Sequence, residues 1–355
     1  GIFSTFAYTN AAGTNNVNDG AAKFGYDINS VYLQDEWKPT DRLDIVAGLR
    51  YDWYKSEDRP KANAAFLTRY GFSNSSNLDG KSLLQPRVGV NYDFSDTLRL
   101  HGGFGLFSGG NPNVWLSNNY ASNGGTLATA NQTTLGVTNL SQLTFGGDGR
   151  PFYNVPQQAI TAVANAVGSG FVNALDPNFE IPSEWKFAIG GVWDVETEIP
   201  FIGGRWRVYL DYLYSKTNEA AIVVPLGYVQ SDTAPDGRPI YRGASNTNDF
   251  MLTNTKDKGS TQVISVNLQK DYGNGIDWAF GYAYTDSEDV NPMTSSVAFS
   301  NFSNIATANP RDPGLATSDY EIAHRFTAQF NWEKEFFANA PTRLSLFGTA
   351  NQGAP

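Results

Sequence analysis

Hydrophobic and polar residues alternate along much of this chain with a period of two. The clearest run covers residues 43–53, in which two sets of alternate positions differ in polarity: Leu43, Ile45, Ala47, Leu49, Tyr51 and Trp53 against Asp44, Val46, Gly48, Arg50 and Asp52. Because the side chains of a β-strand point to opposite faces in turn, this run predicts a strand with one apolar and one polar face. Its length fits the roughly nine to eleven residues of a strand that spans a membrane.

The same alternation predicts about eleven strands. They cover residues 2–9, 26–37, 42–54, 83–94, 97–107, 185–195, 205–216, 261–271, 275–285, 322–333 and 342–350. The connections alternate between short turns and long polar stretches, of which 108–184 is the longest. Outer-membrane barrels place short turns at the periplasmic rim and long loops outside, so loop length predicts the orientation.

Charged residues almost never fall on the apolar faces. An Arg or Lys at the centre of a bilayer costs about 2 to 4 kcal/mol, so this segregation is what contact with lipid requires. The predicted fold is therefore an all-β, transmembrane antiparallel β-barrel with long extracellular loops. Eleven strands whose end strands run in the same direction cannot close as an antiparallel barrel. Residues 1–355 are thus expected to form about half of a 22-stranded barrel.

The polar faces carry charged side chains that have two interpretations. They form ion pairs along the sheet and contacts with whatever fills the lumen, or they line a path for a polar or charged solute. The candidate lumen-facing residues are Arg50, Arg87, Arg99, Lys186, Arg207, Asp211 and Arg325.

The long loop 108–184 is expected to contain structure of its own. Apolar residues recur there at helical spacing after Pro156 and before Gly168, which predicts a helix: Ile160, Val163, Ala164 and Val167. The loop is also rich in aromatic residues, and three of these are candidate ligand contacts on the outer surface: Trp115, Tyr120 and Tyr153. The alternative is that these rings pack the loop onto itself.

Composition excludes several classes of protein. The chain has no Cys, which rules out disulfides and thiol nucleophiles, and its two His residues, His101 and His324, have no neighbouring ligands for a metal site. A net charge of −10 argues against binding to nucleic acid. We predict no enzyme activity, no metal and no cofactor. The first residues lack a signal peptide, so the sequence is expected to be an internal segment of a longer exported protein.

Three stretches resemble TonB-dependent outer-membrane receptors, specifically the Oar-like group with carboxypeptidase-regulatory-like N-terminal domains. The first is YLQDEW at 32–37 followed by residues 43–52, and the second is LQPRVGVNYD at 84–93 followed by residues 98–105. The third, DPNFEIPSEW at 176–185, is the most specific to that group.

This resemblance implies a barrel in the outer membrane of a Gram-negative bacterium, in contact with its lipid. It also implies an N-terminal plug, an extracellular ligand, and uptake of a scarce solute energised by TonB, ExbB and ExbD. Plug, TonB box and C-terminal strands are expected to lie outside this sequence. One alternative keeps the barrel but makes it an adhesin or secretion-type channel. A soluble β-sandwich enzyme or lectin fits the strand count, but not the uniform aromatic outward faces or the alternation of loop lengths.

Overall fold

The computed structural model describes residues 5–110, 112–139, 142–143, 155–166, 170–199, 203–244 and 246–353. Its strands, in chain order, are β1 (Ala7–Ala11), β2 (Asp27–Thr40), β3 (Leu43–Lys55), β4 (Ser82–Asp93), β5 (Leu98–Ser108), β6 (Leu127–Asn131), β7 (Asn173–Leu175), β8 (Ser183–Thr197), β9 (Gly204–Glu219), β10 (Ala221–Pro225), β11 (Tyr228–Thr233), β12 (Pro239–Gly243), β13 (Phe250–Asn254), β14 (Ser260–Asp271), β15 (Ile276–Asp289), β16 (Ala316–Thr317), β17 (His324–Phe337) and β18 (Ala340–Asn351).

Short helices lie in the connections between the strands. Those in the described ranges are α1 (Ala64–Tyr70), α2 (Asn113–Ala121), α3 (Gln157–Ala164) and α4 (Ala298–Ser303), with a 3₁₀ turn at Val17–Asp19. Within the same ranges, none of the helices combines the length and apolar character that crossing a bilayer requires.

One large antiparallel sheet dominates the structure. Ten long strands form a continuous path, in the order β2, β3, β4, β5, β8, β9, β14, β15, β17, β18, and β16 pairs with the end of β15 as an eleventh strand. Consecutive strands along this path are joined by antiparallel ladders throughout. In the described part of the chain, β2 and β18 are the two edges and do not pair with each other. The predicted antiparallel all-β fold is confirmed.

The lengths of the connections alternate as predicted. The short connections, at one rim of the sheet, are 41–42, 94–97, 198–203, 272–275 and 338–339. The long connections, at the other rim, are 56–81, 109–182, 220–259 and 290–323. At the turn between β14 and β15 a glycine is required: Gly275 has φ +86°, and a Cβ there would lie 2.1 Å from the carbonyl oxygen of Glu333.

The apolar face of the sheet is exposed rather than packed into a protein core. Leu49, Val88, Leu210 and Phe280 lie on this face and are 46, 40, 54 and 41% exposed. A β-sandwich would cover such residues with a second sheet about 10 Å away. The structure therefore has the outward hydrocarbon-compatible surface that the alternation predicts.

Lys270 lies on this apolar face, close to the short-turn rim. Lys270 is 3% exposed, and its Nζ donates hydrogen bonds to the carbonyl oxygens of Gly203 and Arg205, at 2.5 and 3.2 Å. The same Nζ lies 5.6 Å from the ring centre of Trp206 and 5.2 Å from that of Tyr272. Carbonyl oxygens and aromatic faces thus replace water around the charge.

The predicted strand at 2–9 is not part of the large sheet. Its described part overlaps β1, which pairs with β6 in the register Ala7 to Asn131. At five residues β1 is too short to span a membrane. Phe6 and Tyr8 instead pack against a buried cluster of Ala130, Ala159 and Val163. The other ten predicted strands match strands of the large sheet, with ends that differ by up to four residues.

The predicted helix after Pro156 is present as α3, which buries Ala159 and Val163. Its last turn is shorter than expected, because α3 ends at Ala164 and Asn165 caps it. Val167 and Gly168 lie outside the described residues. The other helices have no clear periodicity in the sequence and were not predicted.

A charge introduced on the apolar face should have a larger effect on stability than a charge introduced on the opposite face. Leu210 and Leu213 lie on opposite faces of β9, and both are about half exposed, at 54 and 47%. We expect Leu210→Arg to lower the free energy of unfolding in lipid vesicles by about 2 to 4 kcal/mol, because the charge enters hydrocarbon. Leu213→Arg, the matched control, should change it by less than about 1 kcal/mol. Equal losses in denaturant titrations would contradict the assignment of the faces.

Candidate functional site

The ladder registers bring the seven candidate polar residues onto one face of the sheet. Arg50 is opposite Gln85, Arg87 is opposite Gly105, and Gly105 is opposite Lys186. Lys186 is in turn opposite Ser215. Farther along the sheet, Ser265 is opposite Ala283, and Ala283 is opposite Arg325. Because directly opposed residues point the same way and every second residue shares a face, this face also includes Arg99, Arg207 and Asp211. We call it the polar face.

Most of the charges on the polar face are paired. Arg207 makes a forked contact with Asp194, from Nε at 2.8 Å and from Nη2 at 3.2 Å. Two other ion pairs are longer: Arg99 with Asp93 at 3.5 Å and Lys186 with Glu184 at 3.2 Å. Asp211 shares a hydrogen bond with His101 at 2.9 Å. Arg87 places its guanidinium 5.0 Å from the ring centre of Phe107. The polar face is therefore hydrophilic along its length, while the charges largely balance locally.

A buried carboxylate anchors the outer end of this face. Asp52 is 7% exposed and accepts hydrogen bonds from Arg50 Nε at 2.8 Å, Ser30 Oγ at 2.6 Å and Gln85 Nε2 at 2.7 Å. Gln85 in turn accepts one from the backbone N–H of Ser108. The next residue of β3 on this face, Tyr54, lies closer to the long loops and is buried in a hydrophobic cluster that they build. The polar face thus leads directly into the loops at its outer end.

The long connections pack against one another, and we call the packed segments the loop cluster. Its buried hydrophobic residues come from several connections and are Tyr54, Leu78, Leu116, Tyr120, Leu175, Phe179, Ile181, Ala221, Val223, Phe250, Leu252, Met293 and Ala298. The long connections therefore have a core of their own above the barrel wall, as the length of 108–184 suggests.

The candidate aromatic ligand contacts lie within this cluster where they are described. Trp115 is half-buried on α2, and its Nε1 donates to the carbonyl oxygen of Ser295 at 3.1 Å. Tyr120 is 7% exposed, stacks on Phe24 with ring centres 4.3 Å apart, and donates to the carbonyl oxygen of Asp58 at 2.9 Å. Tyr153 lies outside the described residues. Their role in ligand binding stays a prediction.

A buried ion pair joins three of the long connections. Asp249 is fully buried, and its Oδ2 accepts hydrogen bonds from Arg69 at 2.9 Å and from Tyr70 at 3.0 Å. Its Oδ1 accepts one from the backbone N–H of Val172 at 2.7 Å. The carbonyl oxygen of Val172 accepts a bond from Phe250 N–H at 3.0 Å, so β7 and β13 are held side by side. We call this arrangement the Asp249 clamp.

The clamp positions the residues that line a cavity in the loop cluster. This cavity has a volume of about 220 Å³. Four of its lining residues are next to the clamp in sequence: Phe171, Asn173, Asn248 and Phe250. On the opposite side, α4 contributes Phe299, and α2 contributes Asn118. Asn118 holds α4 in place by donating to the carbonyl oxygen of Ser296 at 2.8 Å. We call this cavity the outer cavity.

Sequence analysis did not identify the outer cavity. Phe171 is the one aromatic lining residue from the loop 108–184, which also contributes Asn118, Ser122 and Asn173, and the rest come from the loops 220–259 and 290–323. The aromatic pair Phe299 and Phe302 in the last long loop is a signal that could have drawn attention to it. Its Asn residues carry no such signal, because the loops are rich in Asn throughout.

The Asp249 clamp should control the order of the loop cluster. Asp249→Ala leaves Arg69 without its carboxylate and Val172 N–H without its acceptor, so we expect local stability to fall by about 3 kcal/mol. Hydrogen–deuterium exchange at Val172 and Phe250 measures this loss. Asp236→Ala is the control, since Asp236 pairs with Arg238 on an exposed hairpin at 2.8 Å and should change exchange there by less than about 1 kcal/mol.

Tyr120 should make the loop cluster sensitive to alkaline pH. Burial raises the pKa of Tyr120, because the cluster disfavours its phenolate. A raised folded-state pKa adds stability below the unfolded-state pKa of about 10, and that stability is lost as the pH rises through the folded-state value. We expect exchange in α2 to speed up over this range. In Tyr120→Phe the acceleration should be weaker, and a profile that matches the unmodified protein would contradict this role.

Comparison with solved structures gives receptors and transporters with weak likeness, among them the following three. The siderophore receptor PirA from Pseudomonas aeruginosa has 12% identity and a TM-score of 0.43 over 92% of this chain and 41% of that one. The FrpB iron transporter from Neisseria meningitidis has 12% identity and a TM-score of 0.47, over 93% and 34%. A double mutant of the Serratia marcescens hemophore receptor HasR, in complex with its hemophore HasA and heme, has 11% identity and a TM-score of 0.45 over 91% of this chain and 45% of that one.

The chain spans less than half of the length of each of these structures. No curated protein matches it in sequence. A family described as "Outer membrane beta barrel domain" does match, over residues 3–347, which is nearly the whole chain. That match agrees with the two-faced antiparallel sheet and its alternating loops. The chain belongs to the outer membrane beta-barrel domain family and is a protein of the Gram-negative outer membrane.

Proposed function

We propose that this chain is part of the barrel of a TonB-dependent outer-membrane receptor that takes up a scarce solute, and that it belongs to the Oar-like group. The polar face would line the lumen, and the loop cluster would meet the solute first. The TonB, ExbB and ExbD system would supply energy through a plug domain, and the apolar face would contact outer-membrane lipid. The loop 108–184 would be the largest of the extracellular loops.

The observation that carries this proposal is the continuous polar face. It begins with the Asp52 network at the loop cluster and ends in a wide cavity of about 690 Å³ near the short-turn rim. The cavity is lined by charged and amide side chains that include Asp194, Arg205, Arg207, Gln269, Asp277 and Gln329. A wall with these groups from rim to rim suits an aqueous lumen that a solute crosses.

The pairing of the charges suits passage better than tight capture. Where an Arg is held by a carboxylate, as Arg207 is by Asp194, neither group presents a full free charge to a passing solute. A path that binds weakly at many places lets the solute leave again, which conduction requires. Selective capture would therefore take place in the loop cluster, and release would follow a change in loop or plug conformation that binds the solute differently.

An adhesin or secretion-type channel is the second candidate. The observation in its favour is the hydrophobic core of the loop cluster, which could support a binding surface for another protein without any transport. The two functions differ in their need for energy, because adhesion does not require TonB.

The test compares bacteria that lack this gene with bacteria that lack TonB. Both are grown in a defined mixture of small solutes, and mass spectrometry measures which solutes disappear from the medium. We expect at least one solute to be consumed more slowly in both strains and to recover when the gene is restored. Normal consumption in both strains, together with a loss of attachment only in the gene deletion, would favour the adhesin instead.

A further inference from the structure

We propose that the apolar face carries a binding site for one phospholipid with a primary-amine headgroup. The carboxylate of Asp35 binds the ammonium group, and one acyl chain lies in a groove that crosses β2, β3, β4 and β5. This site goes beyond the proposed uptake. It requires only that the chain spans the outer membrane, and it is independent of what the barrel transports.

The first observation is a carboxylate on the apolar face. Asp35 is opposite Ala47, and two residues further along β2 Trp37 is opposite Ile45, so Asp35 shares the outward face with apolar residues. Among the described long strands, it is the one charged residue of this face that lies more than three residues from both ends of its strand. An ionisable residue within a membrane-spanning segment is costly and indicates a functional site with a partner.

This carboxylate has no partner in the part of the chain that the structure describes. Its neighbours Gln34 and Glu36 lie on the polar face, where Gln34 Nε2 donates to Glu36 Oε1 at 3.1 Å. Asp35 itself is exposed and makes no hydrogen bond or ion pair with a described residue, and Ala47 opposite it has no polar side chain. In contact with hydrocarbon, Asp35 therefore needs a donor from outside the barrel wall.

The second observation is a groove that begins at Asp35. It has a volume of about 410 Å³, and its apolar lining residues on the outward face are Leu33, Ala47, Leu49, Pro86, Val88 and Phe104. Arg87 also borders the groove, but its guanidinium lies on the polar face, 5.0 Å from the ring centre of Phe107. Among the described lining residues, Asp35 alone therefore presents a charge to the groove.

The groove rises from the short-turn rim towards the middle of the membrane. It follows a row of residues that are paired in turn on successive strands: Asp35, Ala47, Val88, Phe104 and Phe187. Asp35 is five residues from Thr40 at the end of β2, whereas Phe187 is ten residues from Thr197 at the end of β8. A headgroup at Asp35 thus lies nearer the short-turn rim, which is the periplasmic side of outer-membrane barrels.

The length of the groove fits an acyl chain. From β2 to β5 the groove covers three spacings between strands, which is about 14 Å at roughly 4.8 Å each. This is close to half of the roughly 30 Å hydrocarbon core of a bilayer, the depth that one leaflet occupies. Val88 and Phe104 are 40 and 49% exposed, so they offer apolar contact along this length. The ligand is therefore expected to come from the periplasmic leaflet.

Charge and shape together select a phospholipid with a primary amine. A primary ammonium brings a positive charge and three N–H donors to Asp35, whereas the quaternary ammonium of choline has no N–H donor. A headgroup with only a negative charge is repelled by the carboxylate. A basic side chain beside the open edge of β2 would reach Asp35 but leave the groove empty, because the groove extends the other way, over β3, β4 and β5. An amine-bearing phospholipid fills both.

The test uses the full-length protein in lipid nanodiscs with equal amounts of phosphatidylethanolamine, phosphatidylcholine and phosphatidylglycerol, all with the same acyl chains. Native mass spectrometry counts the lipids of each type that stay bound to the protein. We expect phosphatidylethanolamine to be enriched about fivefold over each of the other two, because its ammonium donates charge-assisted hydrogen bonds to the carboxylate. A photoreactive group on its acyl chain should form cross-links at the groove, which peptide mass spectrometry locates.

Two pairs of variants locate the site. Asp35→Asn removes the charge at nearly constant size and should lower the enrichment to about twofold or less, while the unfolding midpoint stays the same or rises. Its control is Glu36→Gln on the polar face, which should keep the enrichment. Ala47→Phe fills the groove opposite Asp35 and should reduce cross-linking there by about fivefold. Its control is Ala328→Phe, an exposed alanine of the apolar face opposite Phe280, which should leave cross-linking unchanged.

The lipid site is ruled out if phosphatidylethanolamine is not enriched, if Asp35→Asn keeps the enrichment, or if Ala47→Phe and Ala328→Phe cross-link equally. A lower unfolding midpoint of Asp35→Asn with unchanged lipid enrichment would indicate a basic side chain as the partner of Asp35 instead. Should Asp35→Asn fail to fold, the two alanine variants decide the outcome.

These results are separate from the uptake test. TonB-dependent uptake without a preference for phosphatidylethanolamine removes the lipid site and leaves the proposed function intact. A preference that depends on Asp35, without TonB-dependent uptake, removes transport and keeps the lipid site.

Discussion

A backbone in hydrocarbon has no water to bond with, and the rest of this structure depends on that constraint. Every N–H and C=O within the membrane must be paired with another part of the chain, and a sheet of long neighbouring strands does this from rim to rim. Ten of the strands here are joined by continuous ladders of this kind. Once the ladders are set, the direction of each side chain follows from its register.

The two faces of the sheet then divide the chemistry between them. Charges collect on the face turned away from hydrocarbon, where Arg50 and Arg207 find carboxylates close by. Lys270 is on the other face, but near the short-turn rim its ammonium group reaches two backbone carbonyl oxygens. Its position shows that a cation can remain on the apolar side where the ends of two strands supply acceptors. Away from the rim no such acceptors are available, since ladder carbonyls already bond to their neighbours.

Much of the barrel wall could be predicted from the sequence, because alternation and strand length are local properties. Ten predicted strands, the alternation of loop lengths and the shared face of Arg87, Lys186 and Asp211 all follow from counting residues by twos. The strand at 2–9 was placed wrongly because five alternating residues look the same whether they pair with a barrel neighbour or with β6. The loop cluster could not be predicted in the same way. Asp249 and Arg69 are 180 residues apart, and no periodic pattern links them.

The Asp249 clamp separates what holds the loops together from what lines their cavity. Its bond to β7 is made to the backbone N–H of Val172, and the side chains on either side, Phe171 and Asn173, take no part in it. Substitution at these two positions can therefore reshape the outer cavity while the fold of the loops is kept. The lining of the outer cavity and the framework that holds it are thus separate parts of the loop cluster, so a substitution in one need not disturb the other.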